Sequence, residues 1–365
     1  MKRRVSLLLL GVLVICSLTS SSPVVGSDIA ADVNVLILVA TGFGWNYFDA
    51  RHYFEEWGAN VKVVSHTLDH EVDGCFNQDP TTIISDYLTS ELNETLLSQF
   101  DCLYIPSGGH WNGLISSSTV LNWISRAHEL GLVIGSTCIG NRVISHANNI
   151  VNGCEVAYYS MTNLEMENEG ATIVTARAVR DNRIITGGTG SGPPEGYTGA
   201  PTYEVCAAMI QEVLGISPIT ETTITPPTGT NETDFLIQFS IENITNSYPL
   251  INHTDIHEMG ANIYPKNLRE SAIALQLNES GGSYTATISD LELGDYFIDV
   301  SIRYANQMYM VYREAMSFTV LETLPTTTTT SSTSSISSPD YILPVLGISG
   351  AAVVVVVLLV LKKRF

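Results

Sequence analysis

The sequence predicts an α/β domain with a mainly parallel sheet, then an all-β sandwich, then a single membrane-crossing helix. Three observations predict it. Strand-like and helix-like segments alternate over residues 33–215, which implies helices on both faces of a parallel sheet. Short segments with period-two alternation fill 222–322, the pattern of a small sandwich of immunoglobulin or fibronectin type. Residues 342–361 are twenty residues without a charge, long enough at about 1.5 Å per residue to cross a hydrocarbon core of about 30 Å.

Within the first region, 35–40 is a continuous apolar run, as expected for a strand buried on both faces. Residues 46–57 place Tyr47, Phe48, Phe54 and Trp57 at helical spacing, and Gly58 stops the helix. Further strands are expected at 60–65, 102–106 and 132–137. Residues 118–130 form an amphipathic helix ended by Gly131, and 139–147 a helix after the 132–137 strand. Segments 171–177 and 183–186 flank Asp181-Asn182 as a hairpin, and 202–214 closes the region with a helix. In the second region, strands are expected at 235–241, 272–277, 284–288, 296–302 and 308–320, with turns at 278–282 and Gly294-Asp295. No Cys…Trp…Cys pattern fixes its topology. Pro226-Pro227-Thr228-Gly229 marks the linker between the two.

The termini decide the compartment. Lys2, Arg3 and Arg4, an apolar run over 5–16 and small residues after it make 1–26 a signal peptide. The Thr/Ser-rich tract 325–339 cannot bury enough apolar surface to fold and is expected to be a stalk. The tail 362–365 carries Lys362, Lys363 and Arg364, which should stay cytoplasmic. Sequons stand at Asn93, Asn231, Asn243, Asn252 and Asn278, as in a glycoprotein whose folded part is outside the cell. The expectation is a single-pass cell-membrane protein with an extracellular N-terminal part. Its 17 Lys+Arg against 37 Asp+Glu give a net charge of -20. That excludes a nucleic-acid binder, which needs a basic footprint.

The chemistry centres on Gly135-Ser136-Thr137-Cys138-Ile139-Gly140. Small residues stand two before and two after the Cys, as a nucleophile elbow requires, because larger side chains clash in so tight a turn. Cys138 would lie at the carboxyl end of a central strand, where open α/β sheets hold ligands, and at the start of a helix, whose partial positive charge attracts an anionic sulfur. The segment Ile105-Pro106-Ser107-Gly108-Gly109-His110 follows another strand. Its glycines let backbone N–H groups turn toward the neighbouring site, so that Gly109 and Ile139 would form an oxyanion hole.

Together, in this order and with 181–187 before a last helix, these motifs resemble the ThiJ/PfpI family of the class I glutamine amidotransferase-like superfamily. The resemblance covers about 33–215, half of the chain. It implies a flavodoxin-like fold, with Cys138 as nucleophile and the N–H groups of Gly109 and Ile139 as oxyanion donors. Family members include cysteine peptidases and glyoxalase or deglycase-type enzymes. Many are dimers, so the resemblance leaves a homodimer open.

Two departures from the family pattern stand out. Where members keep a Glu in the first helix, this chain has Asn46, which can hydrogen-bond a thiolate but cannot share a proton with it. Where peptidase-like members carry a His directly after the Cys, it has Ile139. General-base activation is therefore not visible, and His110 or a water would move protons. Two readings stay open. One is a cysteine-nucleophile hydrolase, or a glyoxalase-like enzyme, acting on the carbonyl of a small molecule or peptide. The other is a non-catalytic receptor or adhesin that binds a ligand in the old active-site cleft. Without its signal peptide the chain holds five cysteines, Cys75, Cys102, Cys138, Cys154 and Cys206, so an odd thiol is left over, and Cys138 is the natural one. His66, Asp69 and His70, and His253, Asp255, His257 and Glu258, fall in expected loops, where such clusters are usually solvated. No metal and no cofactor is expected, and no phosphate-cradling motif occurs.

Overall fold

In the computed structural model, which describes residues 29–75, 82–189, 199–241 and 256–322, the first strand shows why the central sheet forms. Asn34–Val39 (β1) sends Val35, Ile37 and Val39 into one apolar core and Leu36 and Leu38 into another. A strand that buries both faces needs a cover on both. Helices Asn46–Glu56 (α1) and Thr202–Val213 (α3) contribute to the first core, and helix Ser118–Glu129 (α2) to the second. Each fully buried Val, Leu or Ile contributes about 1.5–3 kcal/mol of apolar transfer.

Parallel strands Asn60–Ser65 (β2), Cys102–Ile105 (β3) and Val133–Thr137 (β4) surround β1 in the order β2-β1-β3-β4. The predicted helices 46–57, 118–130 and 202–214 agree with α1, α2 and α3 to within a residue at each end. The hairpin is shifted. Its strands are Ala178–Asp181 (β5) and Ile184–Gly187 (β6), turning through Asn182 at φ 55°, a conformation Asn tolerates. Thr172–Val174, inside the expected first arm, instead pairs in parallel with Glu155–Ala157 as a separate two-stranded sheet. The helix expected at 139–147 is broken into a 3-10 turn, Cys138–Gly140, and a short helix, Asn141–Ser145.

The second region is β-rich as expected, but the sheet does not stop at the expected linker. Strands Ile219–Thr225 (β7), Phe235–Ile241 (β8) and Ser283–Ile288 (β10) form one small sheet with Asn278–Ser280. Ile256–Pro265 (β9), Gly294–Tyr304 (β11) and Met308–Val320 (β12) form another. The first four residues of β12 pair in parallel with β5, Ala178 opposite Met308 through Asp181 opposite Val311. The α/β sheet and the second sheet of the sandwich are thus one twelve-stranded sheet. Pro226-Pro227 leads straight into Thr228–Gly229, which pairs with β12, so this stretch is part of the sheet. His257 and Glu258 lie in β9 rather than in a loop.

The expected signal peptide (1–26), stalk (325–339), membrane helix (342–361) and basic tail (362–365) lie outside the described residues, as do His253 and Asp255. Among the described residues no helix is long and apolar enough to cross a membrane.

Candidate functional site

Cys138 sits at the carboxyl end of β4 with φ 53°, a left-handed conformation for a non-glycine residue. Such a backbone costs about 1–3 kcal/mol and persists only where its surroundings impose it. Here they do. A Cβ on Gly140 would lie 2.7 Å from the Ile105 carbonyl oxygen, so the residue two after the Cys has no room for a side chain. Two residues before it, the buried Ser136 donates to Asn141 Oδ1 at 2.6 Å, and Asn141 Nδ2 donates to the Gly187 carbonyl at 3.0 Å. The turn is thereby tied to β6. The thiol is half-buried, and neither it nor any of the other four described cysteines is in a disulfide.

The 106–110 loop lies against this turn through the contact of Gly140 with Ile105 and Pro106. Gly108, at φ 131°, packs so closely that a Cβ would meet the backbone of Gly44 at 2.3 Å. The 40–44 and 106–110 loops are clasped by Gly44 N–H to Ser107 O at 2.6 Å and His110 N–H to Gly42 O at 3.1 Å. Gly109 is exposed and Ile139 buried, and among the described residues neither N–H has an acceptor.

Two expected partners of the sulfur are turned to other work. The His110 ring is 2% exposed. Its Nδ1 accepts from Ala40 N–H at 3.2 Å, so Nε2 carries the proton and donates to Pro106 O at 2.9 Å. Burial lowers its pKa to about 4. Both nitrogens are thus engaged by backbone, and the ring clamps the 106–110 loop to Ala40. Asn46, at the start of α1, donates to Thr202 Oγ1 at 2.7 Å, at the start of α3. Thr202 also bonds the Tyr104 hydroxyl, which lies 2.8 Å from Thr137 Oγ1. Asn46 therefore reaches the residue before the Cys through a buried chain of hydroxyls, and its amide is spent on Thr202. The helix after the Cys is eight residues in two short pieces, so little dipole reaches the sulfur.

The group that does meet the thiol is Tyr159, which is 8% exposed. Its hydroxyl is hydrogen-bonded to Cys138 and lies 3.1 Å from Met161 Sδ. Burial is the main cause that pushes the phenol pKa up, with the contact to Cys138 next, so the hydroxyl keeps its proton across the neutral range. Its backbone is set by Asn163 Oδ1, which accepts from Tyr159 N–H at 2.8 Å. Sequence reasoning does not find Tyr159. It follows a three-residue strand in a stretch with no periodicity, and only the parallel pairing of Glu155–Ala157 with Thr172–Val174 carries it to the elbow. Arg142, four residues beyond the Cys, closes the rim. It donates to Glu165 Oε2 at 2.7 Å and Met161 O at 2.6 Å, and its guanidinium stacks over Trp111 at 4.5 Å.

Concavities of about 360 and 470 Å³ open elsewhere, one beside Arg180, Glu212 and Arg313, the other beside Thr119, Trp123 and Arg126. Neither includes Cys138, so size alone does not select the site. The left-handed backbone and the convergence of polar groups do.

No curated protein matches the chain. Among solved structures, it is similar to a two-domain protein with dj-1/thij/pfpi-like and ferritin-like domains from Anabaena variabilis, at 18% identity and TM-score 0.41 over 50% of this chain. It spans about half, 47%, of that protein. It is also similar to a ThiJ/PfpI domain protein from Brachyspira murdochii, at 18% identity and TM-score 0.42, covering 53% of this chain and 100% of that one. DJ-1beta of Drosophila melanogaster matches at 21% identity and TM-score 0.41, over 51% of this chain and 92% of the other. The model of the DJ-1/PfpI family matches residues 33–195, a span that contains Asn46, Gly109, His110, Cys138, Ile139 and Tyr159. Residues 33–195 of this chain belong to the DJ-1/PfpI family.

Proposed function

We propose that the DJ-1/PfpI domain uses Cys138 to add to the carbonyl of a small aldehyde, in the manner of a glyoxalase or deglycase. The observation that carries this reading is the left-handed elbow that holds a half-buried free thiol against a protonated phenol. The sulfur forms a bond to the carbonyl carbon. The C=O electron pair moves onto oxygen, where the N–H groups of Gly109 and Ile139 receive it. Tyr159 gives its proton to that oxygen and takes the thiol proton of Cys138 in return, so the phenol is restored and the product is a hemithioacetal. Addition needs an acid at the oxygen and no base for a water. Peptide hydrolysis needs both, and the engagement of His110 speaks against it. In a trial with a small 2-oxoaldehyde, Cys138→Ser is expected to bring consumption to the uncatalysed rate, and Tyr159→Phe to slow it by about 100-fold. Wild-type turnover no faster than that of Cys138→Ser would overturn the proposal.

A second reading, a non-catalytic receptor or adhesin, is favoured by one fact: Asn46 stands where a proton-sharing Glu would be and is bonded to Thr202. Binding of the aldehyde that persists in Cys138→Ser without turnover in either protein would establish it.

The same proposal anchors the domain at the cell surface by 342–361, with 1–26 removed and the basic tail inside. What supports it is the uncharged length of that segment and the three basic residues after it. A chain ending at residue 324 is expected to leave the carbonate-washed membrane pellet for the soluble fraction. Full-length protein extracted by carbonate would refute the anchor.

A further inference from the structure

Three segments meet at the Cys138 elbow: the elbow itself, the 106–111 stretch that packs against its Gly140, and the 159–162 loop, whose Tyr159 is bonded to Cys138. One guanidinium touches all three. Arg142 belongs to the elbow's own helix, stacks on Trp111 at the end of the first loop, and donates through Nη2 to Met161 O in the last. Met161 also contacts, through Sδ, the Tyr159 hydroxyl that bonds the Cys138 thiol. Nε is taken by Glu165, whereas Nη1 has no partner among the described residues. The Arg142 side chain is 16% exposed. Its position is thus set by an aromatic face, a carboxylate and a carbonyl, with one pair of N–H bonds left unused. A guanidinium held this way recognises a planar anion through directed bonds rather than as a diffuse charge. The chain around it carries a net charge of -20, a field that repels anions and that a binding site for one must overcome locally.

We propose that Arg142 Nη1 anchors a carboxylate in the Cys138 site, so that the aldehyde it takes is one that also carries a carboxylate. This rests on the reactive-thiol reading above and adds the charge of the ligand to it. A matched pair of alkylating agents tests it without knowledge of the substrate. Iodoacetate and iodoacetamide both form an S–C bond and release iodide, and differ only in the carboxylate. The exposed Cys75 serves as a control in the same molecule. The iodoacetate-to-iodoacetamide rate ratio at Cys138 is expected to exceed that at Cys75 by about fivefold, the effect of about 1 kcal/mol from one unscreened charge near the surface. Arg142→Gln should bring the two ratios together, and Glu165→Gln, which removes the competing carboxylate, should raise the ratio at Cys138. Arg142→Lys keeps the charge and controls for loss of folding in Arg142→Gln. Equal ratios at the two cysteines of the wild type, with Cys138 reacting normally, would overturn the anchor alone. Cys138 inert to both reagents while Cys75 labels would overturn the reactive thiol and the anchor with it.

Discussion

Arg313→Met is expected to destabilise the folded protein by about 3–5 kcal/mol, and to do so in both halves at once. Arg313 comes from β12 and joins two carboxylates from different strands. It bonds Asp181 through Nε and Nη2 and Asp299 through Nη1, the last at 2.6 Å. Asp181 is 1% exposed and Asp299 3%. Asp181 also accepts from Glu155 N–H, and Asp299 from Tyr264 Oη and Glu314 N–H. Burial pushes the Asp299 carboxyl above the usual range even with these donors beside it. The ion pairs therefore do not recover the full desolvation cost, and removing the guanidinium leaves two buried acids with Arg269, 4.0 Å from Asp181 and 3.3 Å from Asp299, as their one remaining cation among the described residues. Breaking one side of a buried pair costs about 3–5 kcal/mol for this reason. The four tryptophans, Trp45, Trp57, Trp111 and Trp123, all stand in the DJ-1/PfpI region. Their fluorescence reports on that half while the substitution is in the other. With urea slopes of about 1–3 kcal/mol per molar, the tryptophan midpoint should fall by more than about 1 M in Arg313→Met. A midpoint that stays put while β-sheet ellipticity melts early would show two separable domains and defeat the prediction.

That coupling is the part of the fold least legible in the sequence. Period-two alternation identifies a strand and its two faces but carries no information about which strand lies beside it. β5 takes as its parallel neighbour a strand that begins 127 residues after it ends, at Met308. One signal was present. Met308–Val320 is thirteen residues, about 43 Å at 3.3 Å per residue, roughly twice what a strand of a small sandwich needs. Its N-terminal residues pair with β11 on one side and β5 on the other, and so carry the sandwich sheet into the α/β sheet. The elbow was readable for the opposite reason. Its requirement is local and steric: Gly140 must lack a side chain because Ile105 O lies where the Cβ would be. The roles of His110 and Asn46 were not readable, because a polar residue near a site in sequence has many backbone and hydroxyl donors and acceptors to choose from. His110 took Ala40 and Pro106. The hairpin shifted because 171–174 is the more apolar of the two candidate arms, while 178–181 ends in Arg180 and Asp181, and only pairing with Glu155–Ala157 takes 172–174 out of the main sheet.

The clamp at His110 predicts how the site fails in acid. In the folded protein the imidazole is neutral, accepting at Nδ1 and donating at Nε2, and protonation would put a second hydrogen against Ala40 N–H. Its folded pKa is about 4, against about 6.5 when unfolded. The unfolded chain therefore binds the proton first. The stability from this residue is fully present above about pH 6.5 and is lost as the pH falls toward 4. Between pH 7 and pH 5 the loss is about 2 kcal/mol, the larger part of the roughly 3 kcal/mol that the whole shift represents. His110→Gln keeps an acceptor and a donor but does not titrate. The difference in unfolding free energy between wild type and His110→Gln should shrink by about 2 kcal/mol from pH 7 to pH 5, whatever the other acids do, since they are common to both proteins. A difference that is flat with pH would mean that the imidazole is solvated or already charged in the fold. Because the same ring fixes the loop that carries Gly109, the acid-induced loss should be accompanied by a change in the alkylation rate of Cys138 at a pH where the tryptophan signal is still native. Loss of both together would instead place His110 in the global core, with no separate hold on the loop.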